Sequence, residues 1–363
     1  MALDQIVIIG NGFDKSIGCP SSYREFLFFL LKKEITKVCN EENHQPNKFY
    51  EAKNPIFTFH FIRFVGKENF LSAIDKIKTI KDVRLFFEKD IVMYRFISPF
   101  IEELFNTEND NWGDIEVIYY KSLLSISKKD NQNIPLLNSQ LEFIRDELLK
   151  YLSDLNLVTS AVHRFGPNDF SDILLKETRA NGVNNSSTKK EVRLDNICFI
   201  NFNYTNFLNE IISKTEFKNS KVISIHGNIN NKEDVIFGYG DEDNEDFNNL
   251  KNDGRNVLLK HIKTYNYQNN DNYKKLLVFL SRSKDFQVVI YGHSCSLSDK
   301  VLLREIFENN KCKSIRVLHY KGSKNYYDIL YNISRVFQKN KQVREKVNPF
   351  DELDEIPQID LVK

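Results

Sequence analysis

The sequence predicts an α/β fold, a mostly parallel sheet with helices on both faces and a large helical insertion. Three observations predict it. Residues 6–9 are a short β-branched run that reads as a strand buried on both faces and leads directly into Gly10 and Gly12. From Asn196 onward, short apolar strands alternate with stretches of helical length, the pattern of a parallel sheet covered on both sides. In between, residues 55–165 show no convincing strand alternation but several stretches long enough for helices.

The elements follow in order. A helix begins near Ser21 or Ser22, and residues 23–38 carry helical periodicity with Phe26, Phe29, Leu30 and Ile35 on the apolar face. Residues 40–55 are polar and read as a loop. Helices are expected at 83–105, 114–127 and 136–165, the last as one or two, with 131–135 separating it from its predecessor. Residues 168–190 are polar and rich in turn formers, and read as a flexible connection. Beyond it, strands are expected at 196–201, 221–225, 235–239, 287–291 and 314–320. Helices are expected at 205–214, 271–283, 298–309 and 324–339, with a polar, acidic loop at 241–254. The first strand joins this later sheet. The domain organisation is therefore 1–38 plus 191–339 as one α/β domain and 39–190 as a helical insertion. Residues 340–363, charged and interrupted by Pro349 and Pro357, form an extended tail.

Composition narrows the function classes. At 363 residues with 41% hydrophobic and 13% aromatic side chains, the chain can bury a substantial core. Its 51 basic and 50 acidic residues nearly cancel, so nucleic acid is not an expected partner. The start, with Asp4 and four consecutive apolar residues, does not read as a signal peptide. The longest obvious apolar run, 26–31, ends at Lys32 and Lys33 and is too short to span a bilayer. Cys19, Cys39, Cys198, Cys295 and Cys312 are odd in number and never spaced CxxC, which argues against a disulfide framework and a structural zinc site. A cytoplasmic protein without membrane partner or metal is expected.

Ligands of open parallel sheets bind beyond the carboxyl ends of the strands. The first strand is followed by Gly10-Asn11-Gly12 and the second by Asn201-Phe202-Asn203-Tyr204-Thr205. The later ones are followed by His226-Gly227-Asn228, Gly238-Tyr239-Gly240-Asp241 and Gly292-His293-Ser294-Cys295. Five such turns at one edge, each carrying glycine, asparagine, histidine or serine, mark a candidate site. The first turn does not complete a G-x-G-x-x-G dinucleotide fingerprint. The third glycine would fall where Lys15 stands, and the later acid would fall within an apparent helix. Gly10 and Gly12 still permit close backbone approach, which reads either as a phosphate cradle or as a structural strand–helix turn.

The order of these motifs resembles the sirtuin fold: GxG with Gly18-Cys19-Pro20 behind it, an asparagine turn, a strand ending in His-Gly and a later Gly-x-Ser. More closely, Gly10-Asn-Gly-Phe-Asp14, Pro20-Ser-Ser-Tyr23, Asn203-Tyr-Thr205, Ile225-His-Gly227 and Tyr291-Gly-His-Ser294 with Asp299 resemble the AbiH family of abortive-infection proteins. Trp112-Gly-Asp114-Ile-Glu116 is similar to a further motif of that family. The resemblance implies a sirtuin-like, Rossmann-related domain that takes NAD as substrate and holds no prosthetic group. It implies Asn203 and His226 as catalytic residues. Gly10, Asn11, Gly12, Phe13, Asp14, Gly18, Tyr23, Gly227, Gly292 and Ser294 become the cofactor-binding set. Two departures stand out. The paired CxxC zinc module of sirtuin deacylases is missing, which argues against deacylation of acyl-lysine, and Asn11 and Asp14 replace the alanine and the nearby serine of the sirtuin turn.

Hydrolysis of the nicotinamide–ribose bond needs no general acid, because the cationic pyridinium leaves as neutral nicotinamide. One histidine with a pKa near the operating pH and one asparagine suffice to handle water and ribose. The expected function is antiphage abortive infection by hydrolysis of NAD to nicotinamide and ADP-ribose, held at a low basal rate until a phage-derived trigger or homo-oligomerisation activates it. A nucleotide-binding sensor without hydrolysis is the alternative, and a nuclease-type effector a lesser one. Plainer roles stand beside the chemical ones. Asn203 reads equally as the N-cap of the helix expected at Thr205, with Asn201 and Asn206 as rivals for its polar role. His293 reads as a turn residue. Asp299 reads as a residue that caps or opens a helix, and Asp114 and Glu116 as dipole-favoured acids near a helix start.

Overall fold

The computed structural model describes residues 2–40, 48–51, 54–61, 72, 74–78, 82, 92–106, 112–128, 133–157, 167–175, 193–240 and 244–358. In chain order its strands are β1 (Ala2–Ile9), β2 (Lys48–Glu51), β3 (Phe57–Phe61), β4 (Val92–Phe96), β5 (Arg193–Asn201), β6 (Lys221–Ser224), β7 (Phe286–Tyr291) and β8 (Cys312–Leu318). The helices are α1 (Asn11–Ser16), α2 (Tyr23–Asn40), α3 (Pro99–Asn106), α4 (Trp112–Ser127), α5 (Ile134–Leu157), α6 (Pro167–Leu175), α7 (Phe207–Ile212), α8 (Glu245–Asn252), α9 (Lys263–Asn266), α10 (Asn272–Arg282), α11 (Lys300–Phe307), α12 (Ser323–Val336) and α13 (Asn340–Lys346). The chain divides into two compact units. One comprises Met1–Ser21, Leu149–Arg255 and Leu259–Lys363; the other comprises Ser22–Leu148 and Asn256–Leu258.

The first unit is built on an all-parallel sheet of order β6-β5-β1-β7-β8. The earliest strand lies at its centre, and the chain builds first one side and then the other, the doubly wound Rossmann-like order. Alternation along the strands produces two cores. Ile6, Ile8, Cys198, Ile200, Val288 and Ile290 face one way and pack against Leu276 and Leu280 of α10, Leu302 and Ile306 of α11, and Ile329 and Ile333 of α12. Val7, Ile9, Phe199, Val289 and Tyr291 face the other way, against Phe13 of α1, Phe170 of α6 and Phe207 and Ile211 of α7. Ile6, Val7, Ile8 and Ile9 are all fully buried, each contributing roughly 1.5–3 kcal/mol of apolar burial. The expected α/β class with helices on both faces is the observed one.

The second unit holds a three-stranded antiparallel sheet, β2-β3-β4, beside α2, α3 and α4. Its first helix starts at Tyr23 through a reciprocal capping box. The Ser22 N–H and hydroxyl donate to Glu25 Oε2 at 2.9 and 2.6 Å, and the Glu25 N–H donates to Ser22 Oγ at 3.2 Å. The sheet corrects the expectation of an all-helical middle. Residues 92–96 fall within the helix expected at 83–105 but pair with Phe57–Phe61, whose phenylalanine alternation is itself a strand signal. A distant pairing partner overrides local pattern. Residues 83–91 and 158–165 of the expected helices lie outside the described residues.

Other differences have local causes. Residues 235–239 form no strand: Tyr239 makes a single bridge to Ile262, and Gly238 lies against the carbonyl of His261. The expected loop at 241–254 contains α8, capped by Asn244, whose side chain accepts from the Phe247 N–H at 2.6 Å. The expected connection at 168–190 begins as α6, and 176–190 lie outside the described residues. The tail is not extended throughout, since 340–346 are helical. Residues beyond them run along β8, where the Asn348 N–H donates to Ile315 O, the His319 N–H to Asp354 O and the Ile356 N–H to His319 O. No helix among the described residues is long and apolar enough to cross a membrane.

Candidate active site at the carboxyl edge of the parallel sheet

The five parallel strands end in register. Ser224, Asn201, Ile9, Tyr291 and Leu318 form one row across the sheet. Two residues beyond that row stand His226, Asn203, Asn11 and His293. The alternation that sends Ile9 and Tyr291 into one core thus delivers four polar side chains to the edge where open sheets bind ligands.

Glycine is required here by backbone contact. The Gly10 N–H donates to Tyr291 O at 3.0 Å, the Gly12 N–H to Gly292 O at 2.8 Å, and the Phe13 N–H to Gly10 O at 2.9 Å. A Cβ on Gly12 would lie 2.6 Å from Gly292 Cα, and one on Gly10 would lie 2.5 Å from His293 Cα. Gly292, with φ +67°, meets Phe13 N just as closely. The two loops that diverge at the topological switch point are therefore fastened to each other. The three amide donors of the expected phosphate cradle are engaged within the protein.

Asn203 and Asp14 form the next layer. Asn203 Nδ2 donates to Asp14 Oδ1 at 2.9 Å and to Gly10 O at 3.1 Å, and its N–H donates to Asn201 Oδ1 at 3.1 Å. Thr205 Oγ1 donates to Asp14 Oδ2 at 2.7 Å. The Asp14 carboxyl is 2% exposed, and burial pushes its pKa up to about 7 against the opposing hydrogen bonds from Thr205 and Asn203. Asn203 is not a helix cap: α7 starts at Phe207, and the Asn203 side chain turns back to Gly10 and Asp14 instead. Asn206 bonds Asn230 through its side chain.

On the other side of Phe202 lies a charged cluster. The Phe202 ring packs edge-on against His226, with centroids 5.0 Å apart, and at a tilt against His293, at 4.1 Å. His226 Nε2 is 3.2 Å from Asp299 Oδ1 and 3.3 Å from Tyr267 Oη. Lys263 Nζ donates to Asp299 Oδ1 at 2.7 Å, and His293 Nε2 stands 3.6 Å from Asp299 Oδ2. His293 Nδ1 accepts from the Cys295 N–H at 3.0 Å, which places its proton on Nε2, facing Asp299. Burial lowers the His226 pKa to about 4, Lys263 adds to that, and Asp299 opposes it. Burial also pushes Asp299 up, yet Lys263 and His226 outweigh it and hold the carboxyl well below its usual range. Asp299 opens α11 from its N-cap position, as expected, but its side chain makes no cap hydrogen bond there and is a carboxylate bonded to Lys263 instead.

The motif order and the edge geometry agree with one comparison. Residues 6–320 match the family of bacteriophage abortive infection AbiH. The chain belongs to the AbiH family. The AbiH match takes in every member of the edge cluster, from Gly10 to Asp299. Comparison with curated proteins and with solved structures returns no match.

Within this AbiH chain the expected site residues separate into groups. Gly10, Asn11, Gly12, Asp14, Asn203, His226, Gly227 and Gly292 gather at the sheet edge. Asn11 Oδ1 accepts from Ser21 Oγ at 2.6 Å, and Gly227, with φ +79°, turns the chain after His226. Phe13 lies in the core, its ring edge-on to Phe170 and Tyr291. Gly18, with φ +80°, follows α1, its N–H donating to Lys15 O. Ser294 accepts from Asn332 through its carbonyl. Tyr23 belongs to the second unit, where its hydroxyl donates to Leu104 O at 3.2 Å. Asp114 and Glu116, near the start of α4, lie in that unit too. Sequence reasoning missed Lys263 and Tyr267, and took Thr205 only as part of a motif, with no role. Lys263 stands in an aperiodic stretch with no motif, and only its 1% exposure reveals it.

Proposed function

We propose that this chain is an abortive-infection effector that binds NAD or a related nucleotide at the carboxyl edge of the parallel sheet and hydrolyses its nicotinamide–ribose bond. One observation carries the reading. Asn203 and His226 follow neighbouring strands at the same distance beyond the last paired row, and each is fixed by a buried carboxyl group, Asp14 and Asp299. A polar group held by a second one is the arrangement of a pre-organised catalytic edge. In the reaction the C1′–N bond breaks with its electron pair going to nicotinamide, a water oxygen bonds C1′, and the water proton leaves. Asp299 keeps the His226 proton on Nε2, so Nδ1 is the acceptor that orients the water. A pKa of about 4 makes His226 a weak base, which suits an oxocarbenium-like transition state that needs water positioned more than deprotonated.

Purified protein, mixed with NAD and with lysate of a phage that triggers defence, is expected to release nicotinamide. His226→Ala and Asn203→Ala are each expected to lower that rate by about 10²–10⁴-fold with the fold intact. Protein that neither binds NAD nor releases nicotinamide under triggering conditions would overturn the reading. Constitutive hydrolysis would be toxic to the host, so a low basal rate and activation by the trigger or by assembly belong to the same reading, as does action in the cytoplasm.

The low pKa of His226 also favours a second reading, a nucleotide sensor that binds without hydrolysis. Nucleotide binding without product, together with defence that survives His226→Ala, would select it.

A further inference from the structure

Asp14 departs from the sirtuin pattern, and its surroundings give it a definite task. The carboxyl sits under the β1–α1 turn and meets Asn203 Nδ2 at 2.9 Å and Thr205 Oγ1 at 2.7 Å. Gly10 O takes the second Nδ2 hydrogen at 3.1 Å. Both carboxamide hydrogens of Asn203 therefore point at oxygens of the protein, which fixes which end is nitrogen and turns Oδ1 away from them.

We propose that Asp14 is the positioning residue of this edge: with the Gly10 carbonyl it holds Asn203 Nδ2 inward, so that Oδ1 is presented as the acceptor for a ribose hydroxyl or a water. The inference rests on the reading of Asn203 as the ligand-facing residue. Either protonation state serves the geometry. The ionised carboxylate accepts from both Asn203 and Thr205. The neutral acid accepts from Asn203 through one oxygen and donates its O–H to Thr205 Oγ1 through the other. The neutral form also removes a negative charge from beneath a turn that a dinucleotide would approach with its phosphates.

Burial places the exchange between these forms at about pH 7. Titratable side chains on the flanking elements include Asp4 on β1, Lys15 on α1, Cys19 just beyond it, Asp172 on α6, Cys198 on β5, Glu210 on α7, Tyr291 on β7 and His293 after it, and none is among the causes of its shift. The edge is thereby tuned by one proton. Ligand affinity should weaken as pH rises through neutrality.

The test reads Asn203 directly. In full-length protein labelled with ¹⁵N-asparagine, the Asn203 carboxamide signals, assigned by their loss in Asn203→Ser, are followed from about pH 5 to about pH 9. Wild type should show them shifting with a midpoint near 7, and Asp14→Asn, which mimics the neutral acid, should show them fixed. Asp14→Ala should raise their exchange with solvent at least about tenfold through the lost hydrogen bond. If Asp14→Ala does not fold, the comparison of wild type with Asp14→Asn still decides. Asn203 signals that match wild type at every pH in Asp14→Asn, or whose exchange is unchanged in Asp14→Ala, would overturn the proposal. Nicotinamide release is measured on the same samples. An Asn203 that responds to the Asp14 substitutions with no release would sink the hydrolase reading and leave the role of Asp14 standing, whereas release with an Asn203 indifferent to those substitutions would do the reverse.

Discussion

Lys263 and Asp299 show how a buried ion pair can set the state of a third group. Burial is the main cause of the low His226 pKa; Lys263 Nζ, 2.7 Å from the carboxylate that also receives His226 Nε2, adds to it, and that carboxylate opposes it. Lys263→Met removes the cation, and the His226 pKa should rise from about 4 toward its ordinary value. Imidazole titration by NMR checks this, and an unchanged midpoint would mean that burial alone is responsible. Asp299→Ala leaves Lys263 buried without this carboxylate and should cost about 3–5 kcal/mol of stability, measured by denaturant unfolding. Lys263→Met with Asp299→Leu should cost less than Asp299→Ala alone, because no buried charge is stranded. At Gly12 the physics is steric: Gly12→Ala pushes a methyl to 2.6 Å from Gly292 Cα and should lower stability by about 1–3 kcal/mol. These contacts explain why the glycines read so ambiguously in the sequence. A glycine kept for backbone contact and one kept for a phosphate look alike until the neighbouring loop is seen.

At the scale of elements, strand β8 illustrates what local pattern misses. Its exposed edge is covered by the chain beyond α13, through backbone hydrogen bonds and through Asp354, whose Oδ1 accepts from Arg316 Nε at 3.0 Å and Nη2 at 2.6 Å. Arg316 also donates to Ile173 O of α6 at 2.9 Å, and Ile356 enters the core. A charged segment with two prolines reads as an unpaired tail, yet its acid and its isoleucine have partners far back in the chain. Asp354→Ala should destabilise the protein by about 3–5 kcal/mol, and a chain ending after Lys346 should unfold at a lower temperature than the full chain. Equal melting temperatures would show that the segment merely rests on the sheet. The antiparallel sheet β2-β3-β4 was hidden for the same reason, since strand pairing is a property of two segments and neither one alone declares it.

For the molecule as a whole, two buried edge groups give stability opposing pH dependences. Asp14 is raised from 3.8 to about 7, so its contribution is complete below the unfolded value and is lost as pH rises toward 7. His226 is lowered from 6.5 to about 4, so its contribution is complete above 6.5 and is lost as pH falls toward 4. Between those limits the two slopes oppose each other. Asp14→Asn removes one of them, and the variant should gain stability relative to wild type as pH rises from about 4 to about 7, by at most ~1.4 kcal/mol per pH unit. Urea unfolding at several pH values checks the sign. A constant difference would show that Asp14 does not titrate in that range.

The sequence by itself determined the alternating strands and helices, the membership of the first strand in the later sheet, the polar strand ends and the motif order that marks the AbiH family. Those signals are local and periodic, and burial on two faces imposes them residue by residue. Only the tertiary structure decided which side chains serve one another: Asp14 with Asn203, and Lys263 with Asp299 and His226. Such pairings join positions 36 to 189 residues apart, and no local pattern records a hydrogen bond across that separation. Asp14, which departs from the sirtuin turn in the sequence, faces inward to an asparagine and a threonine, while the turn before it is closed by the loop that follows β7.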